Sequence, residues 1–219
     1  KSENQKPGFA MLKEKGMSKI LILGIVLAIF QQWCGINVIF NYAQEVFANA
    51  GYSVSDTLFN IVITGSVNLI FTFVGIFTVD RFGRKGLMLI GAGGLAGMFG
   101  VTGAMYFFQL QGLPLLIMVV AIIGCFAMSL GPVTWVVLSE IFPNRIRGFA
   151  LSIATFALWA ACFILTYTFP LLNKLLNASG TFWLYGIICL FGFWFILKKL
   201  PETKGKSLEE IEHELIEKA

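Results

Sequence analysis

Apolar residues along the chain fall into six blocks, roughly 19–48, 57–80, 87–109, 113–138, 147–173 and 181–198, joined by short polar loops. Each block is near the roughly 20 residues that a helix needs to cross hydrocarbon. The pattern therefore predicts an all-α membrane protein with six transmembrane helices, the first long enough to tilt or break. A basic segment, 1–18, precedes the bundle at 19–199, and a polar tail follows at 200–219. In the tail, Ser207 and Glu210 have capping-box spacing, and Leu208, Ile211, Leu215 and Ile216 make one apolar stripe. A short amphipathic helix lying against the cytoplasmic face is expected there.

The first block is interrupted by polar side chains that carry no charge: Gln31, Gln32, Asn37, Asn41 and Tyr42. An amide left unpaired in hydrocarbon costs several kcal/mol, so these groups need neighbouring helices, cavity water or a polar uncharged ligand. At about 100° per residue, Gln31, Gly35 and Tyr42 share one face of a regular helix. Gln32 is turned away from that face, and Asn37 and Asn41 fall on the far side. Either the polar groups serve two neighbours, or the helix breaks near Gly35 so that they converge, as in discontinuous transporter helices. A carboxamide is both donor and acceptor, which matches a sugar hydroxyl. One expectation is therefore a carbohydrate site along this helix; simple helix-to-helix bridging is the other.

Composition supports the membrane reading, with 57% hydrophobic residues, 13% charged and 22 Phe. Charge then adds direction. Of the 16 Lys and Arg residues, Lys174 alone falls on one set of loops, while the ends and the loops at 81–86 and 139–148 hold the rest. By the positive-inside rule both termini are expected in the cytoplasm of a cell (inner or plasma) membrane protein. The polar, basic start argues against a cleavable signal peptide. A chain that opens on Lys1 is expected to be a fragment, with a dimerising half-transporter or a vestigial half as alternatives.

No Asp or Glu sits near the middle of a block; Glu45, toward the outer end of the first, is the deepest. A proton or sodium relay within these helices is thus not expected. Neither a nucleophile–base pair nor an HExxH nor a Gly-rich phosphate loop is present. No enzyme activity, catalytic residue, metal, cofactor or nucleic-acid partner is expected. Cys34, Cys125, Cys162 and Cys189 read as small buried residues, His213 as solvated, and Trp183 and Trp194 as interface anchors. The glycines at 91, 93, 94, 97, 100 and 103 read as a close-packing surface. Asn177-Ala178-Ser179 has the form of a glycosylation sequon, a short pattern.

Five motifs occur in order: Gln31-Gln32-x-x-Gly35-Ile36-Asn37; Asp80-Arg81-x-Gly83-Arg84-Lys85; Gly131-Pro132-x-x-Trp135; Glu140-x-x-Pro143-x-x-x-Arg147-Gly148; and Pro201-Glu202-Thr203-Lys204-Gly205. Over nearly its whole length the chain resembles the C-terminal six-helix half of the sugar porter family within the major facilitator superfamily. The motif wording is closest to the bacterial sugar–proton symporters, with mammalian glucose facilitators more distant. The resemblance implies that Gln31, Gln32, Asn37 and Asn68 hydrogen-bond sugar hydroxyls. It implies that Trp135 and Trp159 pack on or under the sugar, and that Gly131 brings the backbone of a discontinuous fourth helix to the ligand.

Two departures touch the gate or pocket edge: Asn41-Tyr42 where Tyr-Tyr is usual, and Leu158 where an amide usually precedes the second tryptophan. The second departure points to a different sugar. Asp80, Arg81, Arg84, Glu140, Arg145 and Arg147 are implied to form a cytoplasmic salt-bridge network that holds the outward-facing state; ordinary positive-inside topology is the plainer reading of the same charges. Family members have twelve spans, with the sugar between two halves and the proton-titrating carboxylate in the N-terminal one. The expected function is transport of a monosaccharide, pentose or hexose, by alternating access, as proton symport with the coupling residue in the other half. A facilitated-diffusion uniporter and a transporter-like sugar receptor are the alternatives. The expected partners are the monosaccharide, the lipid bilayer and an N-terminal six-helix half, in the same polypeptide or a partner chain.

Overall fold

A computed structural model describes residues 16–41, 54–110 and 112–217. Their regular structure is helical throughout. In order come α1 (Met17–Trp33), α2 (Ile36–Asn41), α3 (Val54–Phe82), α4 (Arg84–Phe107), α5 (Leu113–Met128) and α6 (Leu130–Ile141). A helical stretch Arg147–Lys199 and a tail helix Leu208–Glu217 complete the chain. Five stretches are long and apolar enough to cross a membrane. The last of them has 53 residues, about 80 Å as a single helix and far more than a bilayer needs. Asn177, with φ 57 and ψ 175, interrupts it, and asparagine tolerates such a left-handed φ better than most residues. The stretch is therefore two crossings, α7 (147–176) and α8 (178–199), and the tail helix is α9. Six crossings result, as the hydrophobic pattern predicts.

The first and fourth crossings are each broken. α1 gives way to α2 at Cys34–Gly35, where Gly35 takes φ +94. A side chain there is doubly excluded, because a Cβ would lie 2.7 Å from the Tyr185 ring. The break exposes carbonyls that thiols then serve. Cys34 Sγ donates to Gln31 O at 3.0 Å, and Cys189 Sγ to Cys34 O at 3.5 Å. All four cysteines are free thiols, with Cys34 and Cys189 buried. Between α5 and α6, Ser129 adopts φ −127 and ψ −95. Pro132 follows in the first turn of α6, where a missing N–H is tolerated. The carbonyl of Met128, four residues before that proline, has α3 close against it: a Cβ at Gly75 would come within 2.7 Å.

α8 runs antiparallel to α4. Lys85 Nζ donates to Leu197 O at 2.9 Å, and Trp183 Nε1 donates to Gly100 O at 3.1 Å at the other end. The glycines of α4 divide by use. Cβ atoms at Gly91 and Gly103 would overlap Ser129 and Trp183, whereas Gly97 and Gly100 meet nothing. Close packing is thus their role at some positions only. α1 also packs on the Arg147–Lys199 stretch, α5 bridges α3 and α4, and α9 sits under α6 and α1. The expected capping box is present at the start of α9: Ser207 N donates to Glu210 Oε2 at 2.7 Å and Glu210 N to Ser207 Oγ at 3.3 Å. Ile211 and Leu215 are buried beneath the bundle.

Candidate functional site: an amide chain between two broken helices

The break at Gly35 removes the angular conflict of a regular helix and lets three amides meet. Asn37 Nδ2 donates to Gln32 Oε1. Gln32 Nε2 donates to Gln31 Oε1 at 3.0 Å, and Gln31 Nε2 donates to Gly131 O at 3.2 Å. The chain thus runs from the first break to the second. Gln31 and Gln32 are both buried, so each bond replaces water that the site excludes. The direction of donation is dictated at one end. A backbone carbonyl only accepts, so Gln31 must present its NH₂ to Gly131 and its oxygen to Gln32. The same logic carries outward and leaves the Asn37 oxygen as the open terminus, on a half-buried residue. Amides that polarise one another in a low dielectric bind the next donor more strongly.

Trp135 on α6 and Trp159 on α7 are 41% and 62% exposed, so neither ring is spent on the core. Trp33 donates through Nε1 to Ala161 O at 3.1 Å, tying the end of α1 to α7. Exposed Phe156, Trp159, Phe163 and Tyr167 follow one another on α7 at helical spacing, making an aromatic face opposite the buried Ala154, Leu158, Ala161 and Leu165. Leu158 is 1% exposed and packs in the core, not at an open edge. Asn68 is half-buried on α3; among the described residues no hydrogen bond joins its side chain to the amide chain. Asn41 closes α2, but its side chain, like Tyr42 as a whole, lies outside the described residues. No cluster of metal-ligating side chains occurs among the described residues.

At the opposite, charged end Arg84 is the hub. Its guanidinium pairs with Asp80 and with Glu140, each at 2.9 Å. Glu140 accepts a further hydrogen bond from Thr203 Oγ1 at 2.5 Å. Among the described contacts, the network joins three of its six expected charges, Asp80, Arg84 and Glu140. Arg145 pairs instead with Glu212 of α9 at 3.5 Å, and Arg147 Nε donates to Phe142 O at 3.2 Å. Arg81 contributes its carbonyl, which accepts from Lys204 Nζ at 3.0 Å.

The motif residue to which the sequence assigned no role is Glu202. One oxygen of its carboxylate accepts from the backbone N–H groups of Arg84, Thr203 and Lys204 at 2.9, 3.0 and 3.1 Å. It caps α4 from across the chain, where a negative charge also suits the helix dipole. Gly83, at φ +78, lies under it, and a Cβ there would be 2.6 Å from Glu202 Oε2. A Pro-Glu-Thr run directly after the last span was the available signal.

A membrane bundle with two broken helices, joined by uncharged amides and bearing exposed aromatic side chains, has the construction of a secondary transporter. The family model described as "Sugar (and other) transporter" matches residues 1–215, and the chain belongs to that family. It is 45% identical over 200 residues to the D-xylose-proton symporter of Escherichia coli (strain K12), covering 88% of this chain and 40% of that protein. It is 39% identical over 199 residues to the glucose facilitated diffusion protein of Zymomonas mobilis, covering 88% of this chain and 42% of that one. Among solved structures it resembles the major facilitator superfamily proton:xylose symporter bound to 6-bromo-6-deoxy-D-glucose. That likeness has TM-score 0.83 and 40% identity, over 95% of this chain and 46% of the other. The chain spans less than half the length of the curated relatives it matches.

Proposed function

We propose that this chain is the C-terminal half of a membrane transporter that moves a monosaccharide by alternating access, with Gln31, Gln32 and Asn37 as its sugar-binding amides. The observation that carries the reading is the continuous amide chain from Asn37 to the Gly131 carbonyl. It presents a polarised acceptor to a ligand hydroxyl while leaving no charge to bind an ion. Trp135 and Trp159 supply aromatic faces for the apolar side of a sugar ring, and Asn68 adds an amide from α3. The complementary wall is an N-terminal six-helix half, in the same polypeptide or a partner chain. The chain divides into a basic lead, 1–18, the bundle, 19–199, and the tail, 200–219. Both termini lie in the cytoplasm of a cell membrane, in keeping with the 15-to-1 distribution of cationic residues.

The substrate is a pentose or hexose and the mode is proton symport, as the 45% identity to a protein named as a D-xylose-proton symporter favours. The coupling carboxylate is then supplied by the other half, since the acidic residues here sit in loops, at helix ends or in the tail. Counterflow in proteoliposomes tests both parts. Radiolabelled xylose should accumulate, unlabelled xylose should compete better than glucose or arabinose, and an imposed pH gradient should drive uphill uptake. Uptake that only equilibrates would make the protein a facilitator, and no counterflow with any monosaccharide would overturn the sugar reading.

A further inference from the structure

We propose that Trp33 is a positioning residue that decides between a pentose and a hexose, by fixing the distance from the amide chain to Trp159. The inference rests on the sugar site proposed for Gln31, Gln32 and Asn37, and adds to it a residue and a cause of selectivity. Trp33 closes α1, and the backbone ladder does not run on beyond it, because Gly35 turns the chain at φ +94. Side chains hold this helix end, and they reach in two directions. Gln31 donates to Gly131 O on α6 at 3.2 Å, and Trp33 Nε1 donates to Ala161 O on α7 at 3.1 Å.

Each of those helices carries one tryptophan of the proposed site. Trp135 follows Gly131 by four residues, about 6 Å along α6. Trp159 precedes Ala161 by two residues, about 3 Å along α7. The two tethers therefore register the amides against both rings. On α7 the tether is made at short range: Ala161 is 4% exposed, on the buried side of the helix, while Trp159 is 62% exposed. A methyl side chain lets the indole approach the helix backbone, as small residues do between membrane helices. An indole N–H only donates, and a helical carbonyl has a second lone pair, so the contact takes no hydrogen bond away from α7.

The chemistry of the ligands turns that distance into selectivity. Glucose is xylose with one more hydroxymethyl group on its ring, and a pocket of fixed width separates ligands that differ by one such group. Held at the shorter width, the site matches xylose between the amides and the Trp159 face. Released from α1, α7 can withdraw; xylose then loses one of its two walls, and the hydroxymethyl group of glucose fills the added room.

The test is isothermal titration of the full-length transporter with xylose and with glucose. Three proteins are compared: wild type, Trp33→Phe, and a protein with benzothienylalanine in place of Trp33, which keeps the shape of the ring and loses only its N–H. Both changes should raise the xylose Kd by about fivefold, the effect of one hydrogen bond, and leave the glucose Kd unchanged. The preference for xylose should thus narrow by about fivefold. A merely structural strut would shift both sugars together, and that outcome overturns the proposal. Narrowing with Trp33→Phe but not with the sulfur analogue would assign the effect to ring packing and overturn the role of the hydrogen bond. An unchanged ratio in both variants, beside a wild type that binds xylose, overturns the proposal and leaves the sugar site standing. A wild type that binds neither sugar overturns the sugar site and this proposal with it.

Discussion

Gln31 donates from its side chain to the carbonyl of Gly131 at 3.2 Å, joining two crossings where each has lost its regular course. Broken helices expose backbone groups that hydrocarbon does not solvate. Here thiols, a proline's tolerated position and one glutamine absorb that exposure, and the relay through Gln32 leaves the Asn37 oxygen as its open end.

Gln32 is the middle of the relay, so Gln32→Ala disconnects Asn37 from the anchored end. Sugar affinity should fall by about 1–3 kcal/mol, the cost of leaving a hydroxyl and its partner unpaired. Isothermal titration of the full-length transporter with xylose would read this as about a 5- to 150-fold rise in Kd. An unchanged Kd would remove the relay from the binding site.

Gly35→Ala asks a side chain to adopt φ +94 against the Tyr185 ring. The expected loss of stability is about 2–4 kcal/mol, from backbone strain together with overpacking. Thermal unfolding in detergent would register a clear drop. A variant as stable as wild type would mean that the break relaxes without effort.

The α4 glycines should respond unequally. Gly103→Ala drives a methyl group into Trp183 and should destabilise by about 1–3 kcal/mol. Gly97→Ala meets open space and should be neutral or stabilising by up to about 1 kcal/mol, because alanine suits a helix better. Equal effects at the two sites would show that the stripe acts through flexibility and not through packing.

Arg84→Gln removes the hub between Asp80 and Glu140 and should loosen the charged end. A cysteine placed at half-buried Ser139 should be labelled faster by a membrane-impermeant maleimide, by about fivefold if about 1 kcal/mol of closing energy is lost. Arg81→Gln should change the rate little, because its described contact is made by its backbone. Equal acceleration in the two variants would point to bulk charge and not to the specific pair.

The six crossings and the uncharged amide cluster were legible because both are written locally. A block of apolar residues or a run of amides announces itself without knowledge of its neighbours. The break at Gly35 was readable as one of two options, since only convergence reconciles Asn37 with Gln32. What escaped was whatever depends on a distant partner. Leu158 looks like a pocket residue from its position beside Trp159, yet the helix turn between them sends one inward and the other outward. Arg145 belongs by proximity to the Arg84 cluster but pairs with a tail residue instead. Glu202 gave no hint of its target, because three backbone donors leave no mark in a sequence.

Chain synthesis gives the Glu202 contact an order in time. The N–H of Arg84 is made 118 residues before the carboxylate that caps it, and three crossings beyond α4 are threaded in between. Until the last of them is complete, α4 enters the bilayer with its first turn answered only by interfacial water. The clamp at the charged end therefore closes only on a fully inserted bundle, and its formation marks the moment at which the half is finished.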